Sequence, residues 1–172
     1  MSDSGVSLRL EFRGLAAFQT TLDQLALASA NRRPVLEAIG GRLLLSTQER
    51  FERQCDSEGK PWKPLALSTL MHRAGKNPWT QGGLRKGAVR KLSAAQILHR
   101  SGRLLGSIST RVHDGAVEVG TNTVYARIHQ LGGDAGRGHK THIPARPYLG
   151  INAADEAAIV AIVNRHIGRA LM

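Results

Sequence analysis

The chain has 172 residues, the size of one domain and long enough to bury a core. Hydrophobic residues make up 41% but aromatics only 4%, so the core rests on Leu, Ile, Val and Ala, and a surface stacking single-stranded bases is disfavoured. The 24 Lys and Arg against 13 Asp and Glu give a formal charge of +11, favouring contact with nucleic acid or an acidic protein surface. The lone Cys55 excludes an internal disulfide and any structural zinc site built on two cysteines. No apolar run reaches the roughly 18 residues of a membrane span, and no signal segment stands out, so a protein made in the cytoplasm without a membrane anchor is expected.

Val6, Leu8, Leu10 and Phe12 alternate with Ser7, Arg9, Glu11 and Arg13, the period of a strand with one wet face over about 5–13. After Gly14, the spacing of Leu15, Phe18, Leu22 and Leu25 predicts an amphipathic helix to about Ser29. Pro34 suits the first turn of a second helix, and Leu36, Ile39, Leu43 and Phe51 continue its apolar stripe. At about 1.5 Å per residue this helix is roughly 30 Å long. Gly59, Pro61 and Pro64 prevent its extension, and Ser68 or Thr69 is positioned to cap a short helix ending near Gly75.

From Gly59 to His113 there are eleven basic residues and no acidic one, so the whole excess of positive charge lies in this stretch. Its Pro and Gly content predicts a basic, largely irregular insertion at about 59–92, with residues 77–92 mobile until assembly orders them. Two short helical segments are expected at 93–100 and 101–107. Residues 108–112 and 116–120 flank Asp114-Gly115, which predicts a tight hairpin. Residues 125–131 read as one or two helical turns, and the polar stretch from Asp134 to Thr141 as a mobile tip. Finally, Ile159, Ile162, Val163, His166, Ile167 and Ala170 recur at helical steps behind Asp155 and Glu156, which complement the helix dipole.

Seven histidines raise the question of a metal site, with His129, His139 and His142 as the ligands to consider. Their spacing matches no metal motif and Lys140 lies between two of them, so surface histidines are the better reading and no metal or cofactor is expected. Ser46, Ser68, Ser93 and Ser101 lack a nucleophile-elbow context, and Asp56 beside Cys55 disfavours a thiolate. No catalytic residue is assigned. The basic stretch can grip phosphates by releasing counterions, or it can be a solvated loop. No helix-turn-helix recognition face is evident. The segment Pro144-Ala145-Arg146-Pro147-Tyr148-Leu149-Gly150 is the stiffest in the chain, since each proline restricts both itself and the residue before it. It reads first as a strap whose Tyr148 and Leu149 dock the final helix onto the sheet. Its second reading is an edge that pairs with a neighbouring subunit, with Arg146 as the leading contact residue.

The ordered signals resemble the phage virion morphogenesis (tail-completion) family of Mu-like and related tailed phages. They are Ile39-Gly40 through Arg50-Phe51, Gly59-Lys60-Pro61-Trp62-Lys63-Pro64-Leu65, Ile97-Leu98 with Gly102-Arg103-Leu104 and Ser107-Ile108, Val119-Gly120-Thr121, Tyr125-Ala126-Arg127-Ile128-His129-Gln130-Leu131-Gly132-Gly133, and Pro144 through Gly150. Residues 77–92 are longer and richer in Gly, Lys and Arg than the family pattern. The resemblance implies a structural virion protein without catalytic residues. Such a protein forms a ring, hexameric by family expectation, that terminates the tail or joins it to the head beside other neck and tail proteins.

These readings converge on an α+β domain: a small antiparallel sheet from about 5–13, 108–113 and 116–121, covered by the long helix and the C-terminal helix. Interface or DNA-lumen candidates are Arg85, Lys86, Arg90, Lys91, Arg127, Arg146 and Tyr148. The rival reading is a free-standing basic DNA-binding module.

Overall fold

The computed structural model describes residues 6–10, 32–113 and 115–170. In chain order the elements are β1 (Val6–Leu10), α1 (Arg33–Arg53), α2 (Leu67–Ala74), a small hairpin of β2 (Trp79–Thr80) and β3 (Gly83–Leu84), α3 (Lys86–Ser93), and α4 (Arg103–Gly106). They continue with β4 (Ser109–His113), β5 (Ala116–Thr121), α5 (Ala126–Leu131), β6 (Gly133–Ala135), a 3-10 turn (Arg137–His139), β7 (Thr141–Ile143) and α6 (Ala153–Ala170). The helix expected at 15–29 and the end of the first strand, 11–13, lie outside the described residues.

The main sheet is antiparallel in the order β1-β5-β4. β5 is central and its Val117 and Val119 are fully buried. The Asp-Gly signal resolves as expected, since Val112 faces Val117 and His113 faces Ala116, leaving a two-residue loop in which Gly115 has φ +75°. Across α1, Val35, Leu36, Ile39, Leu43 and Phe51 are buried and join Val117, Val119, Ile159 and Val163 in one core. Close approach of α1 to the sheet requires Gly40: a Cβ there would stand 3.0 Å from Val117 Cγ2. A ring of three hydroxyls ties the end of α4 to the end of β5, with Ser107 Oγ 2.7 Å from Thr121 Oγ1, Thr121 Oγ1 donating to Thr123 Oγ1, and Thr123 Oγ1 donating to Ser107 Oγ.

The α+β architecture, the long helix and the C-terminal helix stand as the sequence predicts, but four local expectations are corrected. The basic stretch is not largely irregular, because it contains α2, the β2–β3 hairpin and α3. Ala74 and Ala88 are the buried residues of the two helices, and Arg73 Nη1 donates to Gln96 O at 2.8 Å, so small side chains and one long arginine supply what a large apolar stripe would. Neither Ser68 nor Thr69 caps α2, which begins at Leu67 behind an extended Ala66 without a side-chain cap. The polar stretch at 134–141 is a folded hairpin in which Asp134 faces His142 and Ala135 faces Thr141. The helical turns expected over 93–100 end instead with α3 at Ser93.

Candidate functional site

Residues 144–150 have no regular secondary structure, and their peptide groups are met by side chains and one backbone carbonyl from the rest of the fold. Arg146 N–H donates to His129 O at 2.8 Å, and Trp62 Nε1 donates to Pro147 O at 2.8 Å. Gln130 Oε1 accepts from the N–H groups of Tyr148 and Leu149, each at 3.0 Å, while Gln130 Nε2 donates to Leu149 O. Arg50 Nη1 donates to Tyr148 O at 3.2 Å and to Gly150 O at 2.8 Å. A buried strand-like segment without a neighbouring strand needs such partners, because each unmatched peptide group would cost free energy. At its entrance Gly132 adopts φ +75°, and a Cβ there would come within 2.7 Å of Ala145 N, so only glycine lets the strap pass so close to α5.

The strap reads as an internal tie, which corrects two of the candidate contact residues. Arg146 is buried, and its Nε and Nη2 donate to the carbonyls of Lys63 and Pro64 at 2.8 and 3.0 Å. Tyr148 is completely buried, packs on Phe51 with ring centroids 5.3 Å apart and donates its hydroxyl to Ala126 O at 3.3 Å. Burial pushes its phenol up to about 12. Tyr148 offers no surface to a partner, and Arg146 is committed to the Lys63 and Pro64 carbonyls, with only its edge lining a neighbouring cavity. The sequence reading has the strap docking the final helix onto the sheet through Tyr148 and Leu149; in the structure Tyr148 instead packs on Phe51 of α1 and bonds to Ala126 of α5.

Sequence reasoning missed the residues that fasten this tie. Arg50 Nη2 donates to Asp155 Oδ2 at 2.6 Å and to Ser46 Oγ, which in turn donates to the same carboxylate oxygen. Arg42 Nη2 stands 3.5 Å from Asp155 Oδ1; this is a charge contact rather than a hydrogen bond, and Oδ1 has no hydrogen-bond donor among the described residues. Burial pulls the Arg50 guanidinium below its ordinary value against the opposing pull of Asp155. Asp155 also closes α6, because its N–H donates to Asn152 Oδ1 while its carboxylate accepts from Asn152 N–H, the reciprocal pattern of a capping box. The signal was present in the sequence: Arg50 falls on the apolar stripe of α1, and a charge on a buried stripe demands a partner.

The other candidates are outward-facing. Arg85, Lys86, Arg90 and Lys91 are exposed, with Arg85 Nε donating to Trp79 O at 3.3 Å. Trp79 and Val89 are exposed beside them in the chain, at 58% and 48%, so the arm offers apolar as well as cationic surface. Arg127 is exposed on α5, next to a shallow depression also lined by Val124 and Leu131. His139 and His142 are exposed, whereas His129 is half-buried, which corrects its reading as a surface histidine. Among the described residues no group of three or more His, Cys, Asp or Glu is placed to hold a metal, and no helix is long and apolar enough to cross a membrane.

The chain belongs to the phage virion morphogenesis family, whose model matches residues 14–168. It is 31% identical over 154 residues to the Mu-like prophage FluMu G protein 2 of Haemophilus influenzae, covering 89% of this chain and 91% of that protein. It is also 31% identical over 155 residues to the putative capsid assembly protein G of Escherichia phage Mu, covering 89% and 90%. No solved structure matches the chain.

Proposed function

We propose that this protein is a structural component of the virion that terminates the tail or joins it to the head, working as a closed ring at the neck. Membership of the virion morphogenesis family over most of the chain carries this reading. A ring needs a heterologous contact whose rotation closes, and a hexamer is the expectation from the family resemblance. Outer contacts come from the arm, where Arg85, Lys86, Arg90 and Lys91 face acidic neck or tail proteins or packaged DNA, and from Arg127 on α5. The protein is not an enzyme in this reading; its polar chemistry holds shape.

A second reading, a free-standing DNA-binding module, is favoured by one observation: the exposed arm belongs to a stretch, 59–113, that contains no acid. The mass of the purified protein in solution, with and without duplex DNA, separates the two. A DNA-independent oligomer supports the assembly reading. A monomer that shifts DNA strongly at low salt, with a steep loss of affinity as salt rises, supports the second.

A further inference from the structure

A cavity of about 750 Å³ opens between α2, the turn before α4, α5 and the start of the strap. Its walls are mostly apolar, but five of the residues lining it are cations, Lys63, Arg73, Arg100, Arg103 and Arg146, and none is an acid. His142 also lines it and is already partnered, with Nδ1 2.8 Å from Asp134 Oδ1 outside the cavity. Two further nitrogens of lining residues are buried without a hydrogen-bond partner among the described residues, Arg73 Nε and His129 Nδ1. Native folds leave few such groups.

Two of these cations are held in place before any ligand arrives. Arg73 is anchored through Nη1 to Gln96 O and Arg146 through two donors to the 63–64 carbonyls. They also repel one another. Burial and then Arg100 pull Arg73 down, burial and then Arg73 pull Arg146 down, and burial and then Arg146 pull His129 down. An anion placed among them relieves that repulsion.

We propose that this cavity is a socket for a carboxylate-bearing apolar segment of a partner protein, with the carboxylate seated between Arg73 and His129 and its apolar neighbours against Leu98 and Leu104. Charge complementarity selects an acid, and the mostly apolar, recessed walls select a peptide over duplex DNA, whose phosphates lie on a convex polar surface. The inference follows from the cavity alone and does not depend on the ring reading.

Amide and side-chain NMR shifts of the full chain, titrated with 4-methylpentanoate, test it. Saturable shifts centred on His129, Arg73 and Leu98 are expected at millimolar concentrations of this small ligand. The uncharged 4-methylpentanamide should bind about tenfold more weakly, for loss of the charge-assisted hydrogen bonds. Arg73→Gln should weaken the carboxylate to a similar degree. The exposed-mouth variant R100Q/R103Q, which removes charge without touching a buried tie, should weaken it less but measurably. Equal binding of acid and amide, shifts scattered elsewhere, or no shift at millimolar acid overturns the proposal. So does displacement of the carboxylate by inorganic phosphate or a short DNA duplex at lower concentration, which would assign the cavity to phosphate instead.

Discussion

Arg50 Nη2 and Asp155 Oδ2 meet at 2.6 Å across 105 residues of chain, both side chains withdrawn from solvent. One guanidinium thereby joins α1 to the N-terminus of α6 and, through Nη1, to two carbonyls of the strap. Breaking a buried pair by removing one partner leaves the other charge stranded, a loss of about 3–5 kcal/mol. Asp155→Ala and Arg50→Ala should each destabilise the fold by about that amount in urea denaturation. The double variant R50M/D155L should recover only part of the loss, since it removes the stranded charge but leaves the Tyr148 and Gly150 carbonyls and the Asn152 N–H without these partners. Single variants with near-normal midpoints would show that the pair contributes little.

Tyr148 links stability to high pH. Its phenol is pushed from 10.0 up to about 12 by burial, so the unfolded chain releases this proton first. Between pH 10 and about 12 the unfolded state binds fewer protons than the folded one, and stability falls as pH rises. The stability contribution is fully present below pH 10. Tyr148→Phe removes this component, so the stability gap between wild type and variant should narrow across that window; a gap independent of pH would contradict the assignment.

His129 acts at the other end of the scale. Burial, followed by the nearby Arg146, lowers its folded pKa from 6.5, so on acidification the unfolded chain takes up the proton before the folded one. Stability should therefore fall as pH drops below about 6.5 until the lowered folded value is passed. Histidine titration by NMR should place His129 below the ordinary value of 6.5. His129→Gln should flatten the acid limb of a stability profile, and an unchanged limb would count against the assignment.

The exposed arm should separate assembly from folding. Replacing Arg85, Lys86, Arg90 and Lys91 together by Ser removes no buried partner, and exposed charges contribute on the order of 0.5 kcal/mol or less apiece. The thermal midpoint should stay close to that of the wild type while head-to-tail joining in infected cells drops. A variant that unfolds readily, or that yields normal numbers of infectious particles, would remove the arm from the mechanism.

What the sequence disclosed and what it hid follow from the range of the interactions involved. The helical stripe of Leu36, Ile39 and Leu43, the Asp-Gly hairpin and the C-terminal helix depend on neighbours in the chain, so periodicity and turn chemistry reveal them. The arm was misread because α2 and α3 bury alanines, and Ala74 or Ala88 gives a much weaker periodic signal than leucine. Arg146 looked like a surface contact because its acceptors are the carbonyls of Lys63 and Pro64, 83 and 82 residues away, and no local pattern encodes them. Arg50 was legible in principle as a charge on an apolar stripe, but its partner could be named only from the fold. The acid-free cavity was half visible: the absence of acids from 59–113 can be read directly, whereas the arrival of His129 and Arg146 beside Arg73 requires the tertiary structure.

Electron cryo-microscopy of assembled particles, with the density of this chain located in the averaged neck, shows most directly whether it is a ring component at the junction of tail and head. The account predicts a closed ring of identical copies at the end of the tail nearest the head, in contact with the layers on either side. Particles that lack the chain, or that carry it only as scattered monomers away from the neck, would contradict it.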